Sequence, residues 1–300
     1  MQTGQIFSLL RNPLGRCVLA SATAIVTMLS LAACNPPRLE SQAEQAGPCK
    51  SAYSNAMRST SRTTADNPFV ARYISAGDAA QAWKDAAASC PAQFGIYTMK
   101  SVQMQWIQKN LAPLIGVSNT VHPSAQIANL NEVVALSLDN KTIGGVALAE
   151  DRAGFETEVL AAKGVNGATL RLSDDHKAVA ARLISIEPHE DMSNARVEDP
   201  RQKVYDTSDL LAHPDVITDP STDLQAPTIA VVEMGCARES LTALASALTD
   251  SRDDDGTKHR GNVTGGATNT SLAVLSDLIS SRAYLALSEG YPATDAALLG

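Results

Sequence analysis

The stretch "ALAEDRAGFETEVLA", residues 147–161, decides the fold class, because its apolar residues recur at helical spacing. Leu148, Phe155, Val159 and Ala162 form one stripe, and Ile143, Ala147, Glu150 and Gly154 form another. That is the i, i+4, i+7 placement of a helix packed on two sides. Upstream, Gly144-Gly145 either interrupts the helix or lets a second helix come close. Downstream, Gly164 is a good C-terminal stop.

The same period runs outward in both directions. In "LSDDHKAVAARLISIEP" (172–188), Ser173 or Asp174 suits the cap, and His176, Val179, Ala180 and Leu183 share a face. In "TIAVVEMGCARESLTALASALTDS" (228–251), Ile229, Val232, Glu233, Cys236, Ser240, Ala243 and Ala247 lie at helical spacing. Its opening "TIAVV" also suits a strand, but the periodicity after it favours helix. The tail "SLAVLSDLISSRAYLALSEG" (271–290) places Leu272, Leu275, Ile279, Arg282 and Ala286 together, with Gly290 as the stop. Toward the N-terminus, Asp78 suits the cap of a helix carrying Trp83, Ala87 and Cys90. Pro91 suits the first turn of the next, which Pro113 and Gly116 end. Residues 188–227 read as irregular. No βα alternation repeats, which argues against the two-lobed solute-binding fold and for an all-α chain.

The first 33 residues have another purpose. Arg11 and Arg16 precede an apolar run with no acidic residue, the layout of a secretory signal peptide. The run ends in "MLSLAACNPP" (28–37), where Leu31-Ala32-Ala33-Cys34 resembles the bacterial lipobox. That resemblance implies cleavage before Cys34, a diacylglyceryl group on its thiol, and attachment to the outer face of the cell membrane. Ordinary secretion with a cut nearby, or an uncleaved anchor, are the alternatives that a cysteine at this position disfavours. Removing residues 1–33, with their two Arg and no Asp or Glu, takes the formal charge from −8 to −10. Such an acidic domain is a poor candidate for nucleic acid or for direct adhesion to anionic lipid. An oxidising compartment favours one disulfide among Cys49, Cys90 and Cys236. Cys236 sits in an apolar helical stripe, so Cys49 with Cys90 is the pair expected, and Cys236 reads as packing. Residues 34–68 read as a lipidated tether and linker with one short helix around Cys49 to Met57.

From about Val146 onward, the order "ALAEDRAGFETEVLA", "DHKAVAARLI", "VYDTSDLLAHPDVITDP", "IAVVEMGCARESLTALA", "LSDLISSRAYLAL" resembles a ferritin-like domain family of unknown function found in actinobacterial envelope proteins. The resemblance implies a ferritin-like four-helix bundle over 126–300, with 69–125 as an additional N-terminal helical pair. Ferritin-like proteins that use metal need a Glu from each of two helices and a Glu-x-x-His pair from each of the other two. The first and third helices here supply Glu150 and Glu233, and the second supplies Ser173-x-x-His176 without its carboxylate. The fourth supplies no His, and Arg282 falls on its apolar stripe. This is too few ligands for a dinuclear centre, so the site residues Glu150, His176, Glu233 and Arg282 read as interior polar groups or a vestigial metal site. Half-exposed positions for the two Glu are as good a reading. A buried Glu233 would be expected to pair with Arg282, and His176, near a helix start, would be expected to be solvated.

Other motifs exclude more than they supply. "SRDDDGTKHRGN" mimics an EF-hand through Asp253, Asp255 and Gly256, but Asn262 stands where a bidentate Glu is required. His189, Glu190 and Asp191 lack helical metal-site spacing, and no nucleophile elbow, phosphate loop or dinucleotide fingerprint occurs. Tyr53, Phe69, Tyr73, Trp83, Phe94, Tyr97 and Trp106 crowd into the first part of the mature chain, as a small core around Trp83 and Trp106 or as a recognition surface. The sequence points to a lipid-anchored binding or envelope-organising module without an identified catalytic group or cofactor. Its partners would be the membrane and an envelope protein or small ligand. A ferritin-like metal-binding protein and a transporter's solute-binding lipoprotein are the alternatives.

Overall fold

The computed structural model describes residues 47–117, 130–188, 197, 199–249 and 268–299. Cys34, the signal segment, His189 to Asp191 and the EF-hand-like loop lie outside the described residues. Within them the chain is mostly helical, with nine α-helices that pack in pairs and two sheets of two very short strands each. No helix among the described residues is long and apolar enough to cross a membrane.

Helix α1 (Pro48–Thr60) begins with a proline in its first turn and is tied by the Cys49–Cys90 disulfide to the end of α2 (Phe69–Ser89). It lies inside the stretch read as tether and linker. Helix α2 starts nine residues before Asp78, because Pro68 turns the chain into the helix, so Asp78 is an exposed mid-helix residue and no cap. Its buried side is nearly all alanine (Ala76, Ala79, Ala80, Ala86, Ala87), which lets α1 and α3 (Phe94–Leu111) approach closely. Pro91 opens a short 3-10 turn, and α3 proper begins three residues later. Trp83 packs with Tyr53 and Tyr97, whereas Trp106 turns the other way, onto Tyr284. The expected core around both tryptophans is therefore a core around Trp83 alone.

Helix α4 (Asn140–Ala162) is capped by Asp139, whose Oδ1 accepts from Thr142 N at 2.8 Å. Gly144-Gly145 does not break it. A Cβ on Gly145 would stand 2.8 Å from the Ala243 Cβ, so the glycine serves the close approach of α7 (Thr228–Thr249). Helix α5 (Leu170–Ser185) starts earlier than expected, because Thr169 Oγ1 accepts from Leu172 N. Ser173 and Asp174 thus sit inside the helix and not at its cap. The stretch 199–227 is less irregular than its composition suggests: it holds α6 (Ser208–Ala212) and a hairpin of β3 (Val216–Thr218) and β4 (Gln225–Pro227). The strand ends where "TIAVV" begins, and that segment is helix. Strands β1 (Ala135–Leu136) and β2 (Glu187–Pro188) pair in parallel beside α4 and α5. Helix α8 (Asn269–Ser288), capped by Thr268, and α9 (Asp295–Leu299) complete the described chain.

Helix α4 packs on α5 and α7, α7 on α8, and α8 on α2 and α3. One apolar core runs through all of these, from Ala87, Phe94 and Val102 to Ile143, Leu183, Met234, Leu275 and Ile279. The early helices are also joined to α8 by Thr98 Oγ1 against Ser276 Oγ at 3.1 Å and by the Lys84–Asp277 ion pair.

Candidate functional site

Four helices each send one ionisable side chain to a single point in the interior. The register of α4 against α5 is set by Gly154, where an added Cβ would lie 3.0 Å from Ser173 O and 3.1 Å from His176 Cβ. The bare backbone lets Ser173 Oγ donate to Gly154 O at 2.7 Å. One turn further along, this contact delivers His176 to Glu150. His176 Nδ1 lies 2.7 Å from Glu150 Oε2, and its Nε2 lies 2.9 Å from Glu233 Oε1 on α7. From α8, Arg282 Nε and Nη2 donate to Glu150 Oε1 and Oε2 at 3.1 and 2.8 Å. Glu150, His176 and Glu233 are 0% exposed and Arg282 is 2% exposed.

The structure therefore brings together all four side chains singled out by the sequence, with two corrections. His176 is fully buried and not solvated, because Gly154 admits α5 at its level. Arg282 bonds Glu150 and not Glu233, which bonds His176 instead. Half-exposed positions for the two Glu are likewise excluded.

The charges account for such deep burial of polar groups. Burial presses Glu150 toward its neutral form, but Arg282 and then His176 outweigh it and hold the carboxyl at about 2. Burial and the Arg282 charge press His176 toward neutrality, yet Glu233 and Glu150 prevail and hold its pKa above the ordinary 6.5. For Arg282, burial is again opposed by Glu150 and then Glu233, which keep the guanidinium charged. Each buried cation thus lies against at least one carboxyl group, the pairing that burial of charge demands. One acceptor is left over: Glu233 Oε2 is buried without a hydrogen-bond partner.

This donor set does not fit the dinuclear centre that a ferritin-like resemblance implies. Ser173 replaces the carboxylate on α5, and α8 contributes the guanidinium of Arg282 where a Glu-x-x-His pair is required. It does include a residue that the sequence assigned to packing. Cys236, one turn after Glu233 on α7 and 3% exposed, offers a sulfur within 4.8 Å of ligand atoms of Glu150 and His176. Burial, then the Glu150 charge, pushes its thiol pKa well up. Its i+3 spacing from Glu233 was a readable signal, but such spacing also describes any core stripe.

Cys236 also lines a cleft of about 720 Å³ between α4, α6, the β3–β4 hairpin and α7. The hairpin wall is held by Asp219, which accepts from Arg238 Nη1 at 2.5 Å and from the Tyr291 hydroxyl. Arg238 Nη2 also donates to Ala297 O at 2.6 Å, fastening the C-terminal segment to α7. No local spacing links residues so far apart, and none of the three was singled out from the sequence. On the helical wall Arg152 pairs with Glu239 at 2.7 Å, and Glu156 is pushed up to about 7 by burial and by Glu239, against the pull of Arg152 and His176. A cleft of this size, with a few polar groups on apolar walls, suits a small ligand.

Compared with known protein families, characterised proteins and solved structures, the chain matches none. The candidate sites stand on their own geometry.

Proposed function

We propose that this is a lipid-anchored extracytoplasmic protein acting as a non-catalytic binding module on the outer face of the cell membrane. The fold proposed for it is a ferritin-like core of α4, α5, α7 and α8 with the α2–α3 pair added. The observation that carries the binding reading is the cleft beside α4 and α7, open to solvent and rimmed by Arg152, Glu156, Asp206, Asp209 and Glu239. Behind the cleft, Glu150, His176 and Glu233 are fully buried and do not line it, so the binding reading places the ligand in the cleft and not among them. Attachment to the membrane is supported by the apolar run ending in Leu31-Ala32-Ala33-Cys34. The two-lobed solute receptor finds little support, since the described sheets have only two short strands each.

The test uses Gly235, which lines the cleft and has no atom within 4 Å of an added Cβ. A panel of amines, amino acids and oligosaccharides is screened by thermal shift against the wild type and Gly235→Trp. A compound that stabilises the wild type but not Gly235→Trp supports the cleft; equal effects on both, or none on either, refute it.

A second reading, a metal-binding protein, is favoured by the three ligand atoms of Glu150, His176 and Cys236 within 4.8 Å of one another.

A further inference from the structure

We infer that Glu150, His176 and Cys236 form a mononuclear site for a divalent cation of the zinc class, with Glu233 and Arg282 as its outer hydrogen-bonding partners. This rests on the second, metal-binding reading and specifies it.

The donor chemistry sets the class of ion. Sulfur with one imidazole and one carboxylate suits zinc and its softer neighbours, whereas magnesium and calcium take oxygen alone. Tetrahedral ligands at about 2.0 to 2.1 Å place nitrogen and oxygen about 3.3 Å apart. His176 Nδ1 and Glu150 Oε2, at 2.7 Å, need to part by only about 0.6 Å. The outer shell is already assembled. A histidine bound to metal through one nitrogen donates its other N–H to a carboxylate, and His176 Nε2 faces Glu233 Oε1 at 2.9 Å. Each carboxylate oxygen has two lone pairs, so Arg282 can keep its bonds to Glu150 while that group binds metal.

An independent observation concerns Glu233. Its Oε2 is fully buried without a hydrogen-bond partner, while Oε1 of the same carboxyl group meets His176 Nε2. Charge also permits the exchange. A thiol and an imidazole bind metal in their deprotonated forms, so an entering cation releases protons and adds less than its full charge to the interior. Cys236 is the one member of the cluster that also lines the cleft among the described residues, and it gives the ion a route from solvent.

The experiment titrates cobalt(II), and then zinc(II) as competitor, into the intact, tag-free protein stripped with chelator and held in detergent. The expected result is one cobalt per chain, a near-ultraviolet sulfur-to-cobalt charge-transfer band, and displacement by zinc. Cys236→Ser is expected to lose that band and to bind at least tenfold more weakly. The wild-type band reports sulfur ligation by itself, so the outcome does not hang on the variant's folding. Absence of stoichiometric binding would overturn the site together with the metal-binding reading. Stoichiometric binding without the band, unchanged in Cys236→Ser, would overturn the assigned site alone.

Discussion

Replacing Arg282 by methionine tests the electrostatic account of the interior most directly. The substitution keeps an unbranched stem in the space between α4 and α8 but removes two hydrogen bonds, at 3.1 and 2.8 Å, from a fully buried carboxylate. Holding Glu150 at about 2 instead of 4.5 corresponds to roughly 3 kcal/mol at neutral pH. Removing one member of a buried pair costs about 3 to 5 kcal/mol, and His176 remains as a second counter-charge, so about 3 kcal/mol is expected. Because the folded value for Glu150 lies below the unfolded one, this stability is present above pH 4.5 and is lost as the pH falls toward 2. His176 works in the opposite sense: its folded pKa is raised, so its contribution is complete below 6.5 and is lost as pH rises through the folded value. Urea unfolding at pH 7 would be followed by circular dichroism for the wild type, Arg282→Met, Glu150→Gln and the double variant. Each single change strands a buried charge, whereas the double change leaves His176 and Glu233 paired. The double variant should therefore lose about 2 kcal/mol less than the sum of the singles. A loss below about 1 kcal/mol for Arg282→Met, or strict additivity, would refute this account.

Two glycines should respond with opposite signs. Gly235→Ala, with open space around the new methyl, should gain about 0.5 to 1 kcal/mol in helix stability. Gly154→Ala should lose about 1 to 3 kcal/mol by pushing α5 away, and equal melting temperatures for the two would contradict the packing. Joint replacement of Cys49 and Cys90 by serine opens a link across 41 residues. It should lower the urea-derived stability by about 3 to 4 kcal/mol, and a change under about 1 kcal/mol would count against the bridge. Cys34→Ala should release the protein from membranes or leave it unprocessed, and continued diacylglyceryl labelling would refute lipidation at that residue.

Much of the architecture was legible because helices announce themselves locally. The spacing of Leu148, Phe155 and Val159, the stops at Gly116 and Gly164, and the stripe from Leu272 to Ala286 are periodic or punctuating signals within a few turns. Helix starts were less legible. Asp78 and Ser173 are good capping residues by type, but Pro68 and Thr169 begin those helices, and capping preference cannot choose between neighbouring candidates. The hairpin inside 199–227 was missed because its strands of three residues are too short to show alternation.

For the site, the sequence alone singled out Glu150, His176, Glu233 and Arg282, each on a separate helical segment, but it left half-exposed positions open for the two Glu and placed His176 in solvent. Only the tertiary structure decided the pairing. The guanidinium reaches Glu150 from α8, while how deeply α5 settles onto α4 depends on the missing side chain of Gly154 meeting Ser173. The same contact turns His176 from a residue near a helix start into a bridge between two carboxylates, and the phase of α7 brings the Cys236 sulfur beside them. Periodicity records which face of a helix is buried; it carries no information about the height at which two buried faces meet, and these side chains depend on that height.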